Sequence, residues 1–205
     1  MKKTWTGKWA GLALLVAALG TAALPTAGTA FPADRYEEVP GVRQPTLRKI
    51  NREKDAEAIE RIELHRAKLP VQYRERFNFA WAKVWTKEVD KDEYYAHSSI
   101  QSLEGFSAEQ AAELEGISLR PAQGRYRTLC VNQSDIVDGE NCWQRSVDTE
   151  FKIVEDLASR LADKEASGRL KLYTDLPPCA SCWNVLKQFM AEYPKMRVQV
   201  LYRQK

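Results

Sequence analysis

Cys179 and Cys182 stand with two residues between them in Pro178-Cys179-Ala180-Ser181-Cys182, where a short apolar run gives way to a helical pattern. Cysteines at i and i+3 set both sulfurs on one face of a first helical turn. The free N–H groups and the positive dipole end found there favour thiolate over thiol. Two such thiolates suit a zinc ion or a redox disulfide, so this motif alone leaves both chemistries open. A second group lies upstream, Asp148-Thr149-Glu150, also at the start of a helical pattern. Asp148 reads either as a metal ligand or as a plain helix N-cap. Glu150 reads either as a proton carrier or as a first-turn acid that complements the dipole.

The elements that must position these residues follow from periodicity. Ile50 to Leu69 reads as a charged helix stopped by Pro70, with His65 exposed on it. Phe77-Asn78-Phe79-Ala80-Trp81 onward to Trp85 alternates as a strand, Asp90-Lys91-Asp92 turns, and Glu93 to Ile100 returns. Ser107 caps a short helix to about Glu115. Arg125 to Val131 reads as a strand and Asp135 to Asn141 as a polar loop. The apolar face of Phe151, Ile153, Val154, Leu157 and Leu161 marks the strongest helix. Leu170 to Thr174 is a strand. A helix follows with Trp183, Val185, Leu186, Phe189 and Met190 on one face, and Met196 to Tyr202 alternates as a last strand. Strands separated by helices predict right-handed crossovers and a sheet with helices against it.

The chain has 205 residues, 44% apolar and 29% charged, which excludes wholesale disorder, collagen and a coiled coil. Residues 1–30 read as a secretory signal peptide: Lys2, Lys3 and Lys8, then an uncharged apolar run from Trp9 to Leu24, then small residues to Ala30. The run is shorter than the roughly 20 residues of a spanning helix. No membrane association is expected after cleavage. The expected organisation is then a linker and helical extension over 31–73 and a catalytic domain over 74–205. Three lysines and no acid leave with the signal, so the mature chain carries 28 basic and 28 acidic residues. Strong adhesion to polyanions through net charge is not expected. A local patch from Arg125, Arg127, Arg145, Arg197 and Arg203 remains open.

Two arguments bear on the choice between metal and redox chemistry. A thioredoxin-like chain carries its CxxC early, whereas only one helix and one strand fit after Cys182. Zinc nucleobase deaminases, moreover, set a ligand-x-Glu helix start against a Pro-Cys-x-x-Cys helix start. From about Phe77 to the end, the chain resembles the bacterial toxin-type branch of the nucleic acid/nucleotide deaminases, in the cytidine deaminase-like superfamily. The segments that carry the resemblance are Asn78 to Ala82, Tyr95 to Ser98, Trp143 to Lys152 and Leu172 to Cys182, with Val185, Gln188 and Phe189 beyond.

The resemblance implies an α/β three-layer fold, a mixed β-sheet with flanking helices, here preceded by the helical extension. It implies Zn²⁺ held by Asp148, Cys179 and Cys182, with Glu150 as the proton shuttle. It further implies an exported toxin that removes an exocyclic amine, from cytosine ahead of adenine, in nucleic acid or nucleotide. Such a protein would be secreted or periplasmic, would act in a target cell, and would need an immunity protein in its producer. Other readings stay open: a periplasmic thiol–disulfide oxidoreductase using Cys179 and Cys182, a non-catalytic zinc-binding module, or zinc held by the two cysteines with His97 or Cys142.

Four further residues are candidates for substrate contact. His97 and Ser98 sit at a strand end, and Trp143 and Arg145 precede the catalytic helix, where they could stack a base and meet a phosphate. Structural roles are the alternative for each. Cys130 and Cys142 flank a polar loop and read as a disulfide in an exported protein, with two buried free thiols as the other reading.

Overall fold

Alternation builds the sheet. In Phe79–Trp85, Phe79 and Trp81 enter one apolar cluster while Ala80, Ala82 and Val84 enter another on the opposite face. The fold is described from a computed structural model, which describes residues 43–203 together with Met1 and Gly41. The expected signal peptide and most of the expected linker lie outside the described residues.

In chain order the elements are β1 (Thr46–Lys49), α1 (Ala56–Ala67), α2 (Val71–Arg74), β2 (Phe79–Trp85), β3 (Glu93–His97), α3 (Ala108–Glu113), β4 (Cys130–Val131), β5 (Trp143–Gln144), α4 (Thr149–Arg160), β6 (Gly168–Thr174), α5 (Ala180–Glu192) and β7 (Met196–Tyr202). Five strands form one mixed sheet in the order β1-β7-β6-β2-β3. β1, β7 and β6 run parallel; β2 is antiparallel to β6 and β3. Helices α4 and α5 cover one face, where Phe151, Leu157, Leu186 and Phe189 pack on Ala80, Leu172 and Val200. Helix α1 covers the other, where Ala58 and Ile62 join Phe79, Trp81, Tyr95 and Tyr173. The architecture is α/β, with a five-stranded mixed sheet flanked by helices, and it is consistent with a deaminase fold. Among the described residues no helix is long and apolar enough to cross a membrane.

Helix α1 is tied to the end of β6 by a buried ion pair. Arg66 Nη2 lies 2.6 Å from Asp175 Oδ1, which also accepts from the Tyr173 hydroxyl at 2.7 Å. Ser107 caps α3 in a reciprocal box with Gln110, as its spacing predicts.

Three expectations are corrected. Residues 46–49, expected as linker or strap, are a sheet strand that pairs parallel to β7. The expected strand over 125–131 is irregular except for Cys130–Val131, which pairs with Trp143–Gln144 in a separate two-stranded ribbon. Its backbone donors are taken by helix side chains instead. Glu155 accepts from the N–H groups of Arg125 and Tyr126, Gln188 from Arg127, and Ser181 from Leu129. His65, expected to be exposed, is buried, with Nδ1 against the carbonyl of Arg61.

Candidate metal centre and active site

Two helix starts meet at the carboxyl end of β6. Asp148 holds the N-cap position of α4 with extended backbone, φ −68° and ψ 148°, yet its side chain makes no capping bond. Its Oδ2 lies 3.3 Å from the sulfur of Cys179 and 3.3 Å from that of Cys182. Cys179 is the N-cap of α5, and the two sulfurs, 3.4 Å apart, are free thiols. The three ligand atoms lie within 4.8 Å of one another.

Three groups that each become anionic at this spacing repel one another unless a cation joins them. The same crowding pushes the Cys182 thiol well above its ordinary pKa. Its hydrogen bond with Cys179 comes first, then burial and the charges of Cys179, Glu150 and Asp148. Two sulfurs and a carboxylate are a fitting donor set for zinc and leave one tetrahedral position open. The carboxylate between the sulfurs suits a metal rather than a dithiol couple. The two alternative third ligands do not fit. His97 commits both ring nitrogens to backbone, and Cys142 is bonded to Cys130.

Glu150 is 2% exposed and lies two residues after Asp148, across Thr149. Thr149 Oγ1 donates to its Oε2 at 2.9 Å and Thr174 Oγ1 to its Oε1 at 3.0 Å. Burial first, then the Asp148 carboxylate, raise its pKa. A carboxyl group with raised proton affinity beside a metal-competent cluster is suited to carry a proton.

Sequence reasoning missed the residue that holds this arrangement. Asn78 Nδ2 donates to Thr149 Oγ1 at 2.7 Å and to Thr174 Oγ1 at 2.9 Å, and its Oδ1 accepts from the Leu176 N–H at 3.1 Å. The amide thus clamps both threonines that bond Glu150. The sequence marks Asn78 only within a resembling segment. The clamp itself arises from sheet register, Ala80 opposite Thr174, which no local spacing displays. Phe77, just before it, has φ 60° and is 62% exposed, an unusual conformation for a bulky residue.

The loop between β4 and β5 walls the site. Cys130 and Cys142 form a disulfide that closes it. Asp135 accepts from the Ala180 N–H at 2.7 Å, at the start of α5. Arg145 donates to the carbonyls of Val131 and Asn132, and its Nη1 lies 4.0 Å from Asp148 Oδ1. Its guanidinium covers the Trp143 ring at 3.8 Å, while Trp143 itself is exposed. Trp143 and Arg145 therefore stand at the rim.

The structure commits the other two candidates to internal hydrogen bonds. His97 is wholly buried; Nε2 meets the Arg76 carbonyl and Nδ1 accepts from the Ser99 N–H. This corrects its expected role as a substrate contact, because no ring nitrogen remains for a ligand. Ser98 Oγ accepts from the Asn78 N–H, so it supports the clamp from behind. Of the five arginines expected as a patch, Arg125 is paired with Glu192 and Arg145 is engaged as above.

A family model described as "Toxin-deaminase: The BURPS668_1122 family of deaminases" matches residues 62–204, which takes in every residue of the cluster. No curated protein and no solved structure matches the chain.

Proposed function

Because the chain belongs to the BURPS668_1122 family of deaminases, a toxin-deaminase family, we propose that it is an exported, zinc-dependent enzyme that removes the exocyclic amine of a nucleobase, cytosine ahead of adenine, in nucleic acid or nucleotide. The observation that carries the proposal is Asp148, turned from its cap position onto two free thiols, with a buried glutamate beside it.

Asp148, Cys179 and Cys182 would hold the zinc, which when bound supplies Lewis acidity toward water. Hydrolysis adds water at the amine-bearing carbon, expels ammonia and leaves a carbonyl on the ring. Glu150 carries the two protons of the attacking water in turn, the first to the ring nitrogen and the second to the departing amine, which leaves as ammonia. Each of its oxygens accepts one threonine hydroxyl, and Oε2 also lies 3.4 Å from the Cys182 sulfur, which sets the carboxylate against the ligand cluster. The Asn78 clamp fixes the carboxylate in place through those hydroxyls. The exposed Trp143 ring, backed by Arg145, offers a face for a base.

Export through the signal over residues 1–30 is supported by the Cys130–Cys142 disulfide, which suits an oxidising compartment. Such a toxin would be matched by an immunity protein in its producer. The deciding experiment is Glu150→Ala. Ammonia release from cytosine and adenine substrates is expected to vanish while elemental analysis still finds one zinc per chain. Full activity in that variant would remove Glu150 from the proton path, and an active, zinc-free wild type would remove the metal. Expression in cells lacking immunity, followed by genome and transcript sequencing, reads the base from C-to-T or A-to-G changes.

A further inference from the structure

β1, β7 and β6 run parallel, so their carboxyl ends share one edge of the sheet. Ligands of open α/β sheets bind outside that edge. The metal centre uses it through Thr174, the last residue of β6. A second cavity, of about 650 Å³, opens at the same edge under α1. Its floor is apolar, from Ile59, Ile62 and Tyr173; its rim carries Lys49, Arg52 and Arg203.

The three cations come from three places: the end of β1, the turn after it and the residue after β7. All three are exposed, and their side chains have no ion pair among the described residues. The one carboxylate among the described lining residues, Glu63, lies 4.0 Å from Arg66 Nε. Three exposed cations against a single acid among the described lining residues, around an apolar floor, suit a ligand with regularly spaced anionic groups and flat apolar faces.

The two sites are adjacent through the backbone. Tyr173 lines the cavity, and the next residue, Thr174, bonds Glu150; the Thr174 carbonyl accepts from the N–H of Arg203 at 3.2 Å. Successive strand residues point to opposite faces. A flexible polyanion seated at the metal centre therefore needs only to cross the rim of β6 to reach the cavity.

We propose that this cavity is a second binding site for a single-stranded nucleic acid, holding the sugar–phosphate backbone of nucleotides that flank the base under attack. The proposal rests on the deaminase reading for its substrate class, and it makes the preferred substrate a polymer rather than a free nucleoside. Arg52 and Arg203 contact phosphates; the apolar floor takes a flanking base or sugar. The mature chain's zero net charge is no obstacle, because the positive field is local to this edge.

The test uses the zinc-loaded full chain and short labelled single strands of DNA and RNA with a central cytosine. Wild type is expected to bind at least one of them by fluorescence anisotropy, with affinity that falls as salt rises. Arg52→Glu/Arg203→Glu is expected to weaken binding at least tenfold. It should also flatten the salt dependence by about 0.7 in log–log slope for each phosphate that the variant no longer neutralises. Its zinc content and melting temperature should match wild type, and Arg120→Glu, at a different cavity, should bind like wild type. Unchanged binding in the double variant, an equal loss in Arg120→Glu, or faster wild-type turnover of free cytidine than of either strand would overturn the proposal. Strand binding that depends on Arg52 and Arg203 in a protein that releases no ammonia would instead sink the deaminase reading and leave this site standing.

Discussion

Glu150 acts through what surrounds it. Burial and Asp148 raise its proton affinity, while a backbone hydrogen bond and then two threonine hydroxyls lower it. Asn78 decides whether those hydroxyls stay aimed at the carboxylate. Asn78→Ala should leave zinc binding intact and lower kcat by about 10- to 100-fold, part of the 10²–10⁴ that general acid–base catalysis contributes. With the hydroxyls released, the Glu150 pKa should rise further, so the acid limb of the kcat pH profile should move to higher pH. A variant that loses activity through zinc loss, or keeps an unmoved pH profile, would make Asn78 a structural residue only. Asp148, by contrast, is visible in the sequence in two ways at once, as ligand and as cap. One local motif produces both readings, and only the orientation of its carboxylate separates them.

At the scale of elements, α4 is fastened to the end of β3 by an amine. Lys152, with no exposed surface, donates from Nζ to the carbonyls of His97 and Ile100 at 2.8 and 2.7 Å. Burial brings its pKa down from 10.5 to about 7. Between those values the unfolded chain holds a proton that the folded chain lacks, so folding is disfavoured at low pH and favoured as pH rises. Wild-type stability measured against Lys152→Met should therefore climb from pH 7 to 10, by at most about 1.4 kcal/mol per unit. Urea titrations of both proteins across that range check it; a difference independent of pH would refute a neutral amine. The strong helices and long strands are legible because their apolar residues recur at periods of 3.6 and 2 within one segment. β1 is not, since its four residues gain meaning only from β7, far along the chain. The segment 125–131 has strand-like residues but finds its partners in Glu155, Gln188 and Ser181, which local alternation cannot register. His97 misleads for a related reason: a polar residue at a strand end looks available until the Arg76 carbonyl and the Ser99 N–H close on it.

For the molecule as a whole, the candidate metal centre draws on α4, α5 and β6, so an ion held there would be linked to folding. Zinc at 1,000 times its Kd should stabilise the fold by about 4 kcal/mol. Treatment with a strong chelator should lower the Tm, and added zinc should restore it. A Tm indifferent to chelation would mean that Asp148, Cys179 and Cys182 bind no ion in the native protein. The direction of β1 has a different consequence. It runs parallel to β7 and β6, so the chain enters the sheet at the amino pole and reaches the edge of the candidate site only after crossing it. A leader, delivery module or affinity tag joined ahead of Thr46 is therefore anchored to the sheet at the pole opposite the candidate site.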